Sequence, residues 1–128
     1  MTYLLDTHTL IWYLRTPTVL PTTIRALIED SASTLAVSLI TPWEMSIKTS
    51  IGRLDAGDLI DDFESIMIRG RFNLLVPTTS QVIQSGRLPW FHRDPFDRLL
   101  AAQSLELGWS VLSKDVIFDA YGVRRVWN

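Results

Sequence analysis

Four short apolar runs, TYLLD, TLAVSL, NLLVP and SVLS, are separated by longer stretches whose apolar residues recur at helical spacing. This alternation leaves few architectures open, because neighbouring parallel strands need crossover connections and these are usually helices. The pattern predicts a parallel sheet with helices on both faces, with RRVW near the C-terminus as a fifth strand. Helices are expected over HTLIWYLR, TTIRALIEDS, TPWEMSIKTSIGRL, GDLIDDFESIMIRG, TSQVIQSG and PFDRLLAAQSLELG, with a short one in DVIFDAYG. Pro17 and Pro21 bracket a turn, Gly52 and Gly70 stop helices, and Thr78 with Gln81 has capping-box spacing.

At 128 residues the chain fits one compact domain over 1–128, with no repeat or low-complexity tract to divide it. Cysteine is absent, which excludes disulfides, thiolate zinc sites and cysteine nucleophiles. Asp6, His8 and Arg15 interrupt the N-terminal apolar run before it reaches membrane length, and no basic segment precedes it. A soluble, cytoplasmic protein is therefore expected. The net charge is −2, from 14 acids and 12 bases, so no basic stripe announces nucleic acid.

In open parallel sheets ligands bind beyond the carboxyl ends of the strands, so acids at strand exits carry the most information. Asp6 follows YLL, and Asp115 follows the fourth strand in LLSKD. Taken singly, each is explained as a helix cap. TPWE and DPFD share a layout of capping residue, proline, aromatic and acid, which places Glu44 and Asp97 at the third helical position of two rim helices. A capping box also explains Glu44, as does an i,i+4 pair with Lys48. Asp97, however, shares a helical stripe with Ala101, Ser104 and Gly108, small residues that let this face approach the sheet. A carboxylate leaning inward is costly without a cation. The oxygen-only set Asp6, Glu44, Asp97 and Asp115 suits Mg²⁺ or Mn²⁺ better than zinc or copper. His8 and His92 show no ligand spacing; His8 is expected to pack on the first helix and His92 to lie exposed in a loop. The five tryptophans are expected in the core or at a partner surface.

The segments YLLDTHTLIWYL, SLITPWEMSIKTSIGRL, HRDPFDRLLAAQSLELG and LLSKDVIFDAYG, in this order, resemble the PIN-domain ribonucleases that form the toxin half of VapBC-type toxin–antitoxin modules. The resemblance covers nearly the whole chain. It implies a PIN-like three-layer α/β/α sandwich with a central parallel sheet of four to five strands, and a Mg²⁺- or Mn²⁺-dependent endoribonuclease site. Asp6, Glu44 and Asp97 would be its principal acids and Asp115 a more variable fourth. Asp94 is assigned to capping and site support. Ser113 stands where a threonine often begins the last motif, and it too is read as supporting. The resemblance also implies a homodimer and an antitoxin whose C-terminal segment crosses the toxin and blocks the site.

Removing the four site acids from a net charge of −2 leaves +2 on the remaining surface. Arg93 and Arg98 near the site, and Arg124 and Arg125 near the C-terminus, are the expected RNA phosphate contacts. Two other readings compete. A receiver-like phosphoacceptor domain would need paired acids after the first strand and an Asp after the third, but Asp6 stands alone and NLLVPTTS has no acid. The other is a catalytically inactive PIN-like module that binds RNA or protein.

Overall fold

The computed structural model describes residues Met1–Asn128. The chain runs β1 (Thr2–Leu5), α1 (Thr7–Arg15), a 3-10 turn at Pro17–Val19, α2 (Thr22–Glu29), β2 (Thr34–Ser38) and α3 (Ile40–Ser50). It continues with α4 (Gly57–Asp61), α5 (Phe63–Arg69), β3 (Phe72–Leu75), α6 (Thr79–Arg87) and α7 (Pro95–Leu107). β4 (Ser110–Leu112), a 3-10 segment at Val116–Tyr121 and β5 (Arg125–Val126) complete it. The five strands form one sheet in the order β3-β2-β1-β4-β5, and every pairing is parallel.

Period-two alternation divides the strands between two cores. Tyr3, Leu5, Leu35 and Val37 pack beneath α1, α2, α4 and α5, against Leu10, Ile24, Phe63 and Met67. Leu4, Ala36 and Val111 face the other way, against Leu100, Ala101 and Ala102 of α7 and against Phe118. The result is the expected sandwich of helices, sheet and helices. The strand order reverses between β1 and β4, so the crevice at their carboxyl ends is the sheet's switch point. Register sets Leu5 beside Leu112 there, and the next residues, Asp6 and Ser113, emerge side by side.

Two local expectations need correction. GDLIDDFESIMIRG forms two helices, because Asp62 leaves helical geometry at φ −108°, ψ 18°. Asp58 stands three and four residues before Asp61 and Asp62, and Asp61 three before Glu64, spacings at which like charges oppose a continuous helix. Leu59, Phe63 and Met67 nevertheless reach one core. Further along, α3 starts at Ile40 and not at Pro42, so Glu44 occupies the fifth helical position and makes no capping box. The start moves because Ile40 is buried in the second core and its N–H donates to Ser38 Oγ at 3.3 Å. Pro42 then stands at the third helical position, where the missing N–H has no partner within the helix to lose.

Candidate active site

Each acid is fixed by the backbone that precedes it. Asp6 leaves β1 and caps α1, its Oδ1 accepting the Thr7 N–H at 2.8 Å. Its Oδ2 accepts the Ser113 hydroxyl at 2.7 Å, and Ser113 Oγ in turn accepts the Asp115 N–H at 3.0 Å. Ser113 thus ties the exits of β1 and β4 together. Glu44 is buried on α3, where it accepts the Thr7 hydroxyl at 2.6 Å and pairs with the Lys48 ammonium one turn on. Asp94 is the N-cap of α7, its Oδ1 accepting the N–H groups of Phe96 at 2.8 Å and Asp97 at 3.4 Å. Pro95 starts that helix, and Asp97 stands at its third position as expected. Asp115 is exposed and caps the last 3-10 segment through the Ile117 N–H at 3.0 Å.

TPWE and DPFD therefore sit in different helical phase, yet they meet. Trp43 and Phe96 pack edge to face, with ring centroids 5.0 Å apart and planes at 83°. This contact sets the start of α3 against the start of α7, and each aromatic is followed directly by its acid. Asp6, Glu44, Asp94, Asp97 and Asp115 all line one cavity of about 500 Å³ at the switch point. Its wall is almost entirely polar, with Trp12 as the one hydrophobic residue.

The electrostatics follow from crowding acids out of water. Burial pushes the Asp97 carboxyl up to about 7, helped by the charges of Asp6 and Asp94 and more weakly Glu44, and opposed by a hydrogen bond to His92. Burial also raises Asp6, with Glu44 adding to it and the Ser113 hydrogen bond, His8 and the Thr7 N–H working against it. Burial works against the Lys48 ammonium, but Glu44 beside it, with Asp94 and Asp97, outweighs this and raises its pKa. Lys48 is thus committed to Glu44 and leaves Asp6 and Asp97 without a lysine or arginine partner of their own. A cavity of carboxylate oxygens that repel one another fits a hard divalent cation, with Asp6, Glu44 and Asp97 as the residues to hold it.

His92 is the site residue that sequence reasoning placed elsewhere. Its Nε2 lies 2.8 Å from Asp97 Oδ2, and His92, Asp94 and Asp97 each offer a ligating atom within 4.8 Å of the others. Spacing of five residues across a loop carries no recognisable signal, although the adjacency of HR to DPFD was available. His8 is exposed on α1, its ring centroid 5.8 Å from that of Trp12, and lines the same cavity.

The arginine expectations divide. Arg93 is exposed beside the site. Arg98 is only 2% exposed and is not available to a phosphate. Its guanidinium donates to the carbonyls of Ser85, Leu88, Pro89 and His92 and to Tyr121 Oη, and lies 3.7 Å over the Trp90 ring. Arg124 precedes β5 and lines a pocket with Gly108 and Trp109, which precede β4, so it sits at the opposite rim of the sheet. Arg125 is held by both carboxylate oxygens of Asp119 at 3.0 and 3.1 Å.

A parallel α/β sandwich with a carboxylate-lined cleft at its switch point is thus the class that fold and site define. The chain belongs to the PIN domain family, whose model matches residues 3–123. Solved structures with similar folds include VapBC2 from Rickettsia felis bound to a DNA fragment from their promoter, at TM-score 0.72 and 14% identity over 100% of both chains. VapBC-1 from nontypeable Haemophilus influenzae matches at TM-score 0.68 and 21% identity, covering 98% of this chain and 97% of that one. FitAB bound to an IR36 DNA fragment matches at TM-score 0.66 and 20% identity, covering 97% and 93%. No curated protein matches the sequence. No helix is long and apolar enough to cross a membrane.

Proposed function

We propose that this PIN domain is a Mg²⁺- or Mn²⁺-dependent endoribonuclease and the toxin of a toxin–antitoxin pair. The observation that carries the reading is the convergence of Asp6, Glu44 and Asp97 from three separate elements on one polar cavity, with Asp115 at its edge. Bound there, one or two divalent ions would supply an activated water and stabilise the charge on the scissile phosphate and leaving oxygen. The chain's own contribution is placement. Ser113 and the Thr7 N–H fix Asp6, the Thr7 hydroxyl and Lys48 fix Glu44, and Asp94 starts the helix that carries Asp97.

Membership of the PIN family supports the nuclease class, and the VapBC and FitAB likenesses support an antitoxin partner; a homodimer and a cytoplasmic setting belong to the same proposal. The receiver-like alternative loses its ground because β3 ends at Leu75 and is followed by Val76 and Pro77, with no acid to accept a phosphoryl group. The test is RNA cleavage by purified protein with Mg²⁺ or Mn²⁺, beside Asp6→Asn and Asp97→Asn. Loss of cleavage in both variants supports the assignment and excludes the inactive binding module; equal activity in wild type and variants refutes the assignment.

A further inference from the structure

The cleft does not end at the acids. A second cavity of about 230 Å³ shares His8, Glu44 and Lys48 with the main one and runs on to Arg53 and Leu54. Arg53 belongs to the GRL that closes the α3 motif, to which the metal site assigns no role. Gly52 ends α3 in the left-handed region at φ +76°, with the Arg53 N–H donating back to the Lys48 carbonyl at 2.9 Å. Leu54 and Ala56 then pack against the first core, and Arg15 holds this segment to α1 through the Asp55 carbonyl and the Asp58 carboxylate. Arg53 is therefore an exposed cation on an anchored backbone. Lys114, which follows β4 and so lies across β1 from β2 and the α3 that leaves it, lines the main cavity and is also exposed. Arg15, Arg25, Lys48 and Arg125 are each matched to an acid, but Arg53 and Lys114 have none.

An acidic centre flanked by two unneutralised cations is the charge pattern of a polyanion track, in which one phosphate sits at the centre and its neighbours are held outside it. We propose that Arg53 binds a backbone phosphate of the RNA on one side of the carboxylates and Lys114 one on the other. The inference rests on the nuclease reading and adds the path of the substrate. Since both contacts are to phosphate, they set the position of the strand and leave base choice to other groups.

The experiment is fluorescence anisotropy with a labelled single-stranded oligoribonucleotide and Mg²⁺, on protein carrying Asp97→Asn so that the strand survives. On this background Arg53→Ala and Lys114→Ala should each weaken binding about five- to tenfold at low salt and lower the slope of log Kd against log salt by about 0.7. Arg53→Lys should keep the slope. Both side chains are exposed, so melting temperatures should match the parent. In the Asp97-containing protein the double variant should raise KM for cleavage and largely keep kcat. An unchanged Kd and slope in the double variant overturns the track. Slope changes in a protein whose Asp97-containing form cuts no RNA would keep the track and sink the nuclease reading, whereas cleavage with normal KM in the double variant would do the reverse.

Discussion

His92 Nε2 lies 2.8 Å from Asp97 Oδ2, so the loop before α7 reaches forward to hold the acid on its first turn. The same helix holds that loop. Arg98, the residue after Asp97, binds the carbonyls of Ser85, Leu88, Pro89 and His92 and stacks on Trp90. The DPFDR motif thus divides its work: Asp94 and Pro95 start the helix, Asp97 faces the cavity, and Arg98 fixes the loop that supplies His92.

Removing the imidazole should loosen Asp97 without unfolding the protein. His92→Ala is expected to lower Mn²⁺ affinity and RNA cleavage about tenfold, the usual effect of losing a partner that orients a metal ligand. His92→Gln, which can still donate to the carboxylate, should recover much of both. Calorimetric Mn²⁺ titration of the two variants checks this, and equal affinities in wild type and His92→Ala would contradict it.

Arg98 should behave as a structural residue. Arg98→Ala leaves buried carbonyls without donors, and it is expected to cost about 3–4 kcal/mol, with a correspondingly lower urea midpoint. Arg98→Lys should recover only part of this, because one ammonium cannot replace a planar fork that spans five acceptors. A variant with wild-type stability and a reduced salt slope in RNA binding would instead restore the phosphate role first expected for it.

Much of the fold was legible because sheet burial writes a simple pattern: Tyr3, Leu4 and Leu5, or Leu35, Ala36 and Val37, are apolar on both faces, as a parallel strand requires. The acids at strand exits were legible for the same reason, since chain order and switch point together fix the rim. Less visible was whatever depends on contacts across space. Pro42 suggested a helix start that the burial of Ile40 moved upstream, and Arg98 resembled a surface arginine until four carbonyls from the end of α6 and the loop after it enclosed it. His92 was missed because a histidine gains a role from the carboxylate beside it and not from its spacing. The Trp43 to Phe96 contact that joins the two acid-bearing helices likewise links residues 53 positions apart.

Asp94 and Asp97 should separate on substitution. Asp94→Asn retains an oxygen that can cap α7, and it is expected to keep stability within about 0.5 kcal/mol while reducing cleavage partially. Asp97→Asn should abolish cleavage and keep the far-UV circular dichroism of the wild type. Equal loss in both variants would mean that Asp94 acts on the ion as directly as Asp97 does.

The pH dependence of stability should reverse when the ion is supplied. Asp97 has a folded pKa near 7 against an ordinary 3.8, so without metal the folded state holds a proton that the unfolded state has already released between these values. Its contribution to stability is fully present below about pH 4 and falls as pH rises through 7; Asp6, also raised, acts in the same direction. In EDTA, Asp97→Asn should therefore be more stable than wild type at pH 8, by about 2 kcal/mol, and should lose this advantage at pH 4. Mn²⁺ replaces the proton with a cation and should raise the wild-type melting temperature most at pH 8 and little at pH 5, while leaving Asp97→Asn nearly unmoved. Urea melts of both proteins at the two pH values, with EDTA or Mn²⁺, decide the matter. A wild-type protein that gains stability over Asp97→Asn as pH rises in EDTA would show that the Asp97 charge already has a partner within the fold.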